Sequence, residues 1–239
     1  MKKLGIIGGT SWNSTALYYQ HINQAVADQL GGLHSARLTL ESLDFADYAA
    51  CHMAGDWDSA NAIVVAAAEQ LQAAGVDGLL LASNTMHKAY GAVASATGLP
   101  IVDIRDATAD RLARDGQSRI ALLGTRSTMT EPFAREKLEE RGIAVQPIPG
   151  EWLREVDRII YEELAMGRVV RDSQRKLKTL ITELAKAKVQ AIVLACTELV
   201  MAVDVRANVL PVYDTTAIHA KAAVEWMFNG EQEQARAAA

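Results

Sequence analysis

The feature that most constrains the fold is a strand-and-turn pattern that occurs twice in the same order. "LGIIGGTSWNST" near the start is echoed by "IALLGTRSTMT" at 120–130, "LLASNT" (80–85) by "VLACTE" (193–198), and "LPIVDI" (99–104) by "LPVYDT" (210–215). Gly124 follows Gly9 by 115 positions, Cys196 follows Ser83 by 113, and Pro211 follows Pro100 by 111. A repeat of that length indicates duplicated domains, not a solenoid. It predicts two similar lobes, 1–103 plus 212–239 and 104–211.

The local pattern sets the class of each lobe. Short apolar runs at 3–9, 37–44, 78–83, 100–104, 119–124, 144–148, 191–196 and 209–214 read as strands. Longer amphipathic stretches lie between them, such as 59–75, where Gly75 suits the position just past a helix end, and 172–188. Strands that are apolar throughout and separated by helices are buried on both faces. The expected class is therefore α/β, each lobe a parallel sheet flanked by helices. In such sheets functional loops gather beyond the carboxyl ends of the strands. The turns after Ser83 and Cys196 are accordingly expected to meet in an inter-lobe cleft.

Composition excludes several classes. Half of the 239 residues are hydrophobic and the net charge is −5, with no basic patch interleaved with aromatics, so nucleic acid is not an expected partner. "MKKLGIIGGTSW" stops its apolar run at two glycines and has no secretory h-region. No run approaches a membrane span, and a cytoplasmic location follows. Cys51 and Cys196 are too few for a disulfide framework and lack metal-ligand spacing, so both are expected as free thiols with no metal site. The tail at 230–239 reads as a frayed end.

Several residues carry candidate chemistry. "GGTSWNST" (8–15) sets glycines and hydroxyls at a strand-to-helix turn, which is either a carboxylate or phosphate site or a plain N-cap. It fits neither a Walker loop nor G-x-G-x-x-G. Cys196 ends an apolar strand and precedes Thr197 and Glu198. At a helix start its pKa would fall and make it a base or nucleophile; otherwise it is a small hydrophobe. Cys51 has no such turn and reads as packing. His87 lies four residues after Ser83, within reach if a helix begins there, but no G-x-S-x-G elbow accompanies the pair. His52, His87 and His219 read first as structural residues.

Taken together, "IGGTSWNST", "SNTMHK" (83–88), "CTE" (196–198) and "PVYDTTAIHA" (211–220) resemble the aspartate/glutamate racemase family, which inverts an amino acid's α-carbon without pyridoxal phosphate. The resemblance implies two α/β lobes with the site between them, a homodimer, an amino acid substrate and no cofactor. Typical members use two cysteines, one from each lobe. Cys196 matches the second, and Ser83 stands where the first would be. The implied roles are Cys196 as base, Ser83 or a water it holds as the opposite proton donor, and Thr10, Ser11, His52, Asn84, Thr85, Thr125 and Thr197 as substrate-binding residues. Glu198 and His87 would orient their neighbours. Aspartate and glutamate call for a cation, yet "IIYEELAMG" (159–167) offers Glu162, Glu163 and Leu164. His52, Arg168 or a partner chain would have to substitute, or the substrate would be neutral, such as homoserine or methionine. A single cysteine also resembles arylmalonate decarboxylases of the same superfamily, and a non-catalytic amino-acid-binding protein is a third alternative.

Overall fold

The structure is a computed structural model that describes residues 1–237, with side chains described through Asn229. In the first half, strands β1 (Leu4–Gly8), β2 (Leu38–Ser42), β3 (Gly78–Leu81) and β4 (Ile101–Val102) alternate with helices α1 (Trp12–Leu30), α2 (Phe45–Ala54), α3 (Trp57–Ala73) and α4 (Tyr90–Thr97). Helix α5 (Ile104–Arg114) opens the second half. It continues through β5 (Arg119–Leu123), α6 (Arg126–Thr130), α7 (Glu136–Glu139), β6 (Ala144–Val145), α8 (Gly150–Glu162), α9 (Arg171–Lys186), β7 (Ala191–Leu194), β8 (Val212–Asp214) and α10 (Thr215–Ala237). All eight apolar runs contain a strand. Because α10 reaches Ala237, the backbone of the expected frayed tail is helical that far; its side chains lie outside those described.

Two four-stranded sheets form, with orders β2-β1-β3-β4 and β6-β5-β7-β8. Every pairing is parallel, from Leu4 beside Leu38 to Leu194 beside Asp214. The repeated sequence thus gives a repeated topology. Alternate residues explain why the strands are apolar throughout. Leu4, Ile6 and Leu80 pack with α1 and α10, while Ile7, Leu79 and Leu81 pack with α3. In the second sheet Leu123, Ile192 and Leu194 pack with α8 and α9, while Ile120, Leu122 and Val193 meet α5. Each fully buried aliphatic side chain contributes about 1.5–3 kcal/mol relative to exposure.

Contacts divide the chain into two compact units, Met1–Asp103 with His219–Ala239, and Ile104–Ile218. This corrects the expected placement of 212–218 in the first lobe. Those residues belong to the second unit because β8 pairs with β7 and Thr215 Oγ1 donates to the Leu194 carbonyl at 2.8 Å. No described helix is long and apolar enough to cross a membrane.

Candidate active site

In the first unit the turn after β1 is shaped by Gly9. Its φ is +92°, and a Cβ there would lie 2.1 Å from the Leu43 carbonyl oxygen. Only glycine fits so close an approach. The Gly9 N–H donates to Thr15 Oγ1 at 2.9 Å, and Thr15 donates on to the Ser11 carbonyl at 3.1 Å. This stitching leaves Thr10 and Ser11 with buried hydroxyls that have no partner among the described residues. Ser11 is the N-cap of the 19-residue α1, yet its side chain makes no cap bond. The plain side-chain N-cap therefore does not account for this turn. Two unpaired buried hydroxyls at a helix N-terminus suit an anionic group.

Beside that turn, the Ala82 N–H donates to the Ile7 carbonyl at 2.9 Å, which brings the end of β3 against the end of β1. Ser83, Asn84 and Thr85 follow, all half-buried. The expected helix start is a 3-10 turn, Thr85–Ala89, before α4 begins. It places His87 Nδ1 2.9 Å from the Ser83 carbonyl oxygen. His52 lies elsewhere in this unit, stacked on Tyr48 and edge-on to Trp57 at 4.9 Å between ring centroids. Lys88 holds its ammonium over the same Trp57 ring, 3.1 Å from the centroid. Trp57 thus links the His52 cluster to the turn after Ser83, through a contact that no sequence spacing reveals.

The second unit repeats the construction. The Ala195 N–H donates to the Leu123 carbonyl at 2.7 Å, and a Cβ on Gly124 would lie 2.8 Å from the Ala195 carbonyl oxygen. The Thr125 and Cys196 turns are brought together by that missing side chain. Thr125 is 9% exposed, and its hydroxyl lies 3.1 Å from that of Thr128. Cys196 is 8% exposed and donates its S–H to Glu198 Oε2 at 3.0 Å; Thr197 Oγ1 donates to the same oxygen at 2.9 Å.

Here the structure corrects the expectation of an acidified thiol. Burial first, and the Glu198 carboxylate second, push the Cys196 thiol well above its ordinary pKa. The 3-10 helix that follows, Thr197–Met201, is too short for its dipole to outweigh them. The pair is a thiol held by a ready proton acceptor, not a free thiolate.

The segment at 159–167 supplies no lysine. Glu163 is buried, with one oxygen accepting from Arg158 Nη1 at 2.8 Å, and Leu164 is buried beside it. Arg168 is exposed and donates to the Glu162 carbonyl. Both cysteines are free, and no group of three or more His, Cys, Asp or Glu among the described residues is arranged to hold a metal.

The family model for Asp/Glu/Hydantoin racemase matches residues 7–223 and so takes in both turns. The chain belongs to this racemase family. A Yersinia pestis protein assigned to the Asp/Glu racemases is 43% identical over 96% of this chain and 100% of its own, with a TM-score of 0.89. An aspartate racemase homologue from Pyrococcus horikoshii OT3 is 31% identical over 95% of this chain and 99% of its own, with a TM-score of 0.80. The broad specificity amino-acid racemase RacX of Bacillus subtilis is 25% identical over 169 residues, 71% of this chain and 73% of its own.

Proposed function

We propose that this racemase-family protein is a cofactor-independent amino acid racemase acting on aspartate or glutamate, with Cys196 removing the α-proton and the Ser83 side returning one to the opposite face. The observation that carries this is the Cys196–Glu198 pair at the end of β7, matched by Ser83 at the equivalent strand end of the first unit. An α-hydrogen beside an ammonium and a carboxylate is a very weak acid, so its removal needs a positioned base and stabilisation of the developing charge. Glu198 takes the thiol proton, and the thiolate takes the α-hydrogen. The unpaired hydroxyls of Thr10 and Ser11 support a carboxylate-binding role, shared with Asn84, Thr85, Thr125 and Thr197. His52, Arg168 or a partner chain meets the side-chain carboxylate of the substrate. The names of the Yersinia and Pyrococcus relatives favour aspartate or glutamate over a neutral amino acid.

Because serine is a poorer base than cysteine, abstraction from the Ser83 side is the slower direction. An equilibrium constant of one requires equal kcat/KM for the two enantiomers, so the asymmetry resides in kcat, with KM compensating. The enzyme works in the cytoplasm as a homodimer; sedimentation of a single species at the monomer mass would remove the dimer.

Proton NMR of L- and D-aspartate and glutamate in D₂O without added cofactor, with chiral analysis of products, tests the function. Exchange with inversion is expected. Cys196→Ala should lower it by about a hundredfold or more, and Ser83→Cys should bring the two kcat values closer. No exchange with any amino acid, alongside decarboxylation of a malonate-type acid or ligand binding without turnover, would replace the proposal.

A further inference from the structure

We propose that Lys88 sets the substrate class of this site, its ammonium meeting the side-chain carboxylate of aspartate or glutamate while Trp57 holds it in place. This rests on the racemase function proposed above, and of the recognition groups named there it selects the His52 side. The 3-10 helix Thr85–Ala89 follows closely on Ser83. Such a helix has three residues per turn, so side chains three apart eclipse. Burial distinguishes its faces. Met86 and Ala89 are buried and join the core that includes Tyr48, Ala60 and Val64, whereas Thr85 and Lys88 are half-buried. Lys88 therefore stands on the same open face as Thr85, one turn or about 6 Å further along the axis. A substrate whose α-carboxylate is held at Asn84 and Thr85 finds a cation on that face for its other end.

The indole ring fixes where that charge sits. A lysine stem has four rotatable carbons, and ordering it before the ligand arrives removes a cost of binding. Here Nζ lies 3.1 Å from the centroid of the Trp57 ring. Trp57 is the first residue of α3, where the N-cap Asp56 accepts from the Ser59 N–H at 3.1 Å, and it packs against the core of the first unit. The ring is anchored at a capped helix start. Its face attracts a cation but brings no counter-charge. His52, in the last turn of α2, meets the same ring edge-on at 4.9 Å between centroids. Trp57 thereby gathers an ammonium and an imidazole from two separate elements.

The duplication makes the asymmetry legible. The residue five after Ser83 is Lys88, whereas the residue five after Cys196 is Met201, at the end of the corresponding 3-10 helix Thr197–Met201. The turn that holds the strong base carries no cation, and the turn that holds Ser83 does. A charged side chain is drawn to the Ser83 turn. Aspartate and glutamate gain a charge-assisted contact there that homoserine and methionine do not offer, which is discrimination by a difference of affinities. Lys88 is a substrate-binding residue. Trp57 is a positioning residue, since it acts through Lys88.

Two measurements test this. Reductive carbon-13 methylation of the full-length protein keeps lysine charge and gives each side chain an NMR signal, that of Lys88 being assigned with Lys88→Arg. Aspartate or glutamate should shift the Lys88 signal, and homoserine should not. No shift with either dicarboxylic amino acid, or an equal shift with homoserine, would overturn the proposal, whatever the enzyme does. In aspartate racemisation, Lys88→Gln should raise KM by about tenfold or more with a smaller change in kcat. Lys88→Arg should restore most of the affinity, and Trp57→Leu should raise KM by less than Lys88→Gln. Loss of kcat at unchanged KM in Lys88→Gln would mean a merely structural role and overturn the proposal. Exchange of homoserine or methionine but of neither aspartate nor glutamate by the unaltered protein would overturn it too, and leave the racemase function standing. Absence of any exchange would instead remove the racemase function and leave NMR to decide whether Lys88 meets a second carboxylate.

Discussion

At the scale of single residues, Glu198 has two opposed effects on Cys196. Its charge raises the thiol pKa, and its oxygen, 3.0 Å away, accepts the thiol proton. Replacing Glu198 with Gln separates them. Peptide-resolved alkylation of Cys196 by iodoacetamide should shift to lower pH, because the repelling charge is gone. Turnover should nevertheless fall about a hundredfold, because the proton acceptor is gone too. If alkylation and turnover rose together, Glu198 would be acting only as a repelling charge. The identity of these two residues is plain in "CTE", yet the sign of the pKa shift is not. It depends on burial and on the side-chain rotamer, neither of which local sequence specifies.

Among the elements, the junction of β1 with α1 depends on a glycine bend and on a bond that reaches back to it. Gly9 bends the chain under the Leu43 carbonyl, and Thr15, from inside the first turns of α1, bonds back to the bend. Thr15 is 5% exposed, so removing its hydroxyl leaves the Gly9 N–H buried and unpaired. Thr15→Val, nearly equal in shape, should lower stability by about 1–3 kcal/mol in urea denaturation. A change within a few tenths would mean that another acceptor takes over. The glycine pair and the hydroxyls were visible in "GGTSWNST". That Thr15 satisfies the bend while Thr10 and Ser11 remain unpaired follows from φ at Gly9 and the direction of α1, which a string of residue types does not contain.

For the whole molecule, the buried polar groups of the first unit predict its acid response. Above its ordinary pKa of 6.5, His219 is neutral whether the chain is folded or not. Between 6.5 and about 3 the unfolded chain takes up a proton that the folded chain refuses. Stability should therefore decline as pH falls through that window, and urea midpoints measured from pH 7 to pH 4 should fall less steeply in His219→Gln than in the unaltered protein. The sequence by itself determined the two parallel α/β sheets, their duplication and the strand ends that carry Ser83 and Cys196. Apolar periodicity and turn residues are local signals, and a repeat read twice reinforces them. Only the tertiary structure decided that 212–218 join the second unit, that Glu198 holds the Cys196 thiol, and that Asp103 and His219 lie beside His87. Each of those depends on which distant segments the sheet topology brings into contact, and on the low-dielectric surroundings that fix where charge resides once they are buried.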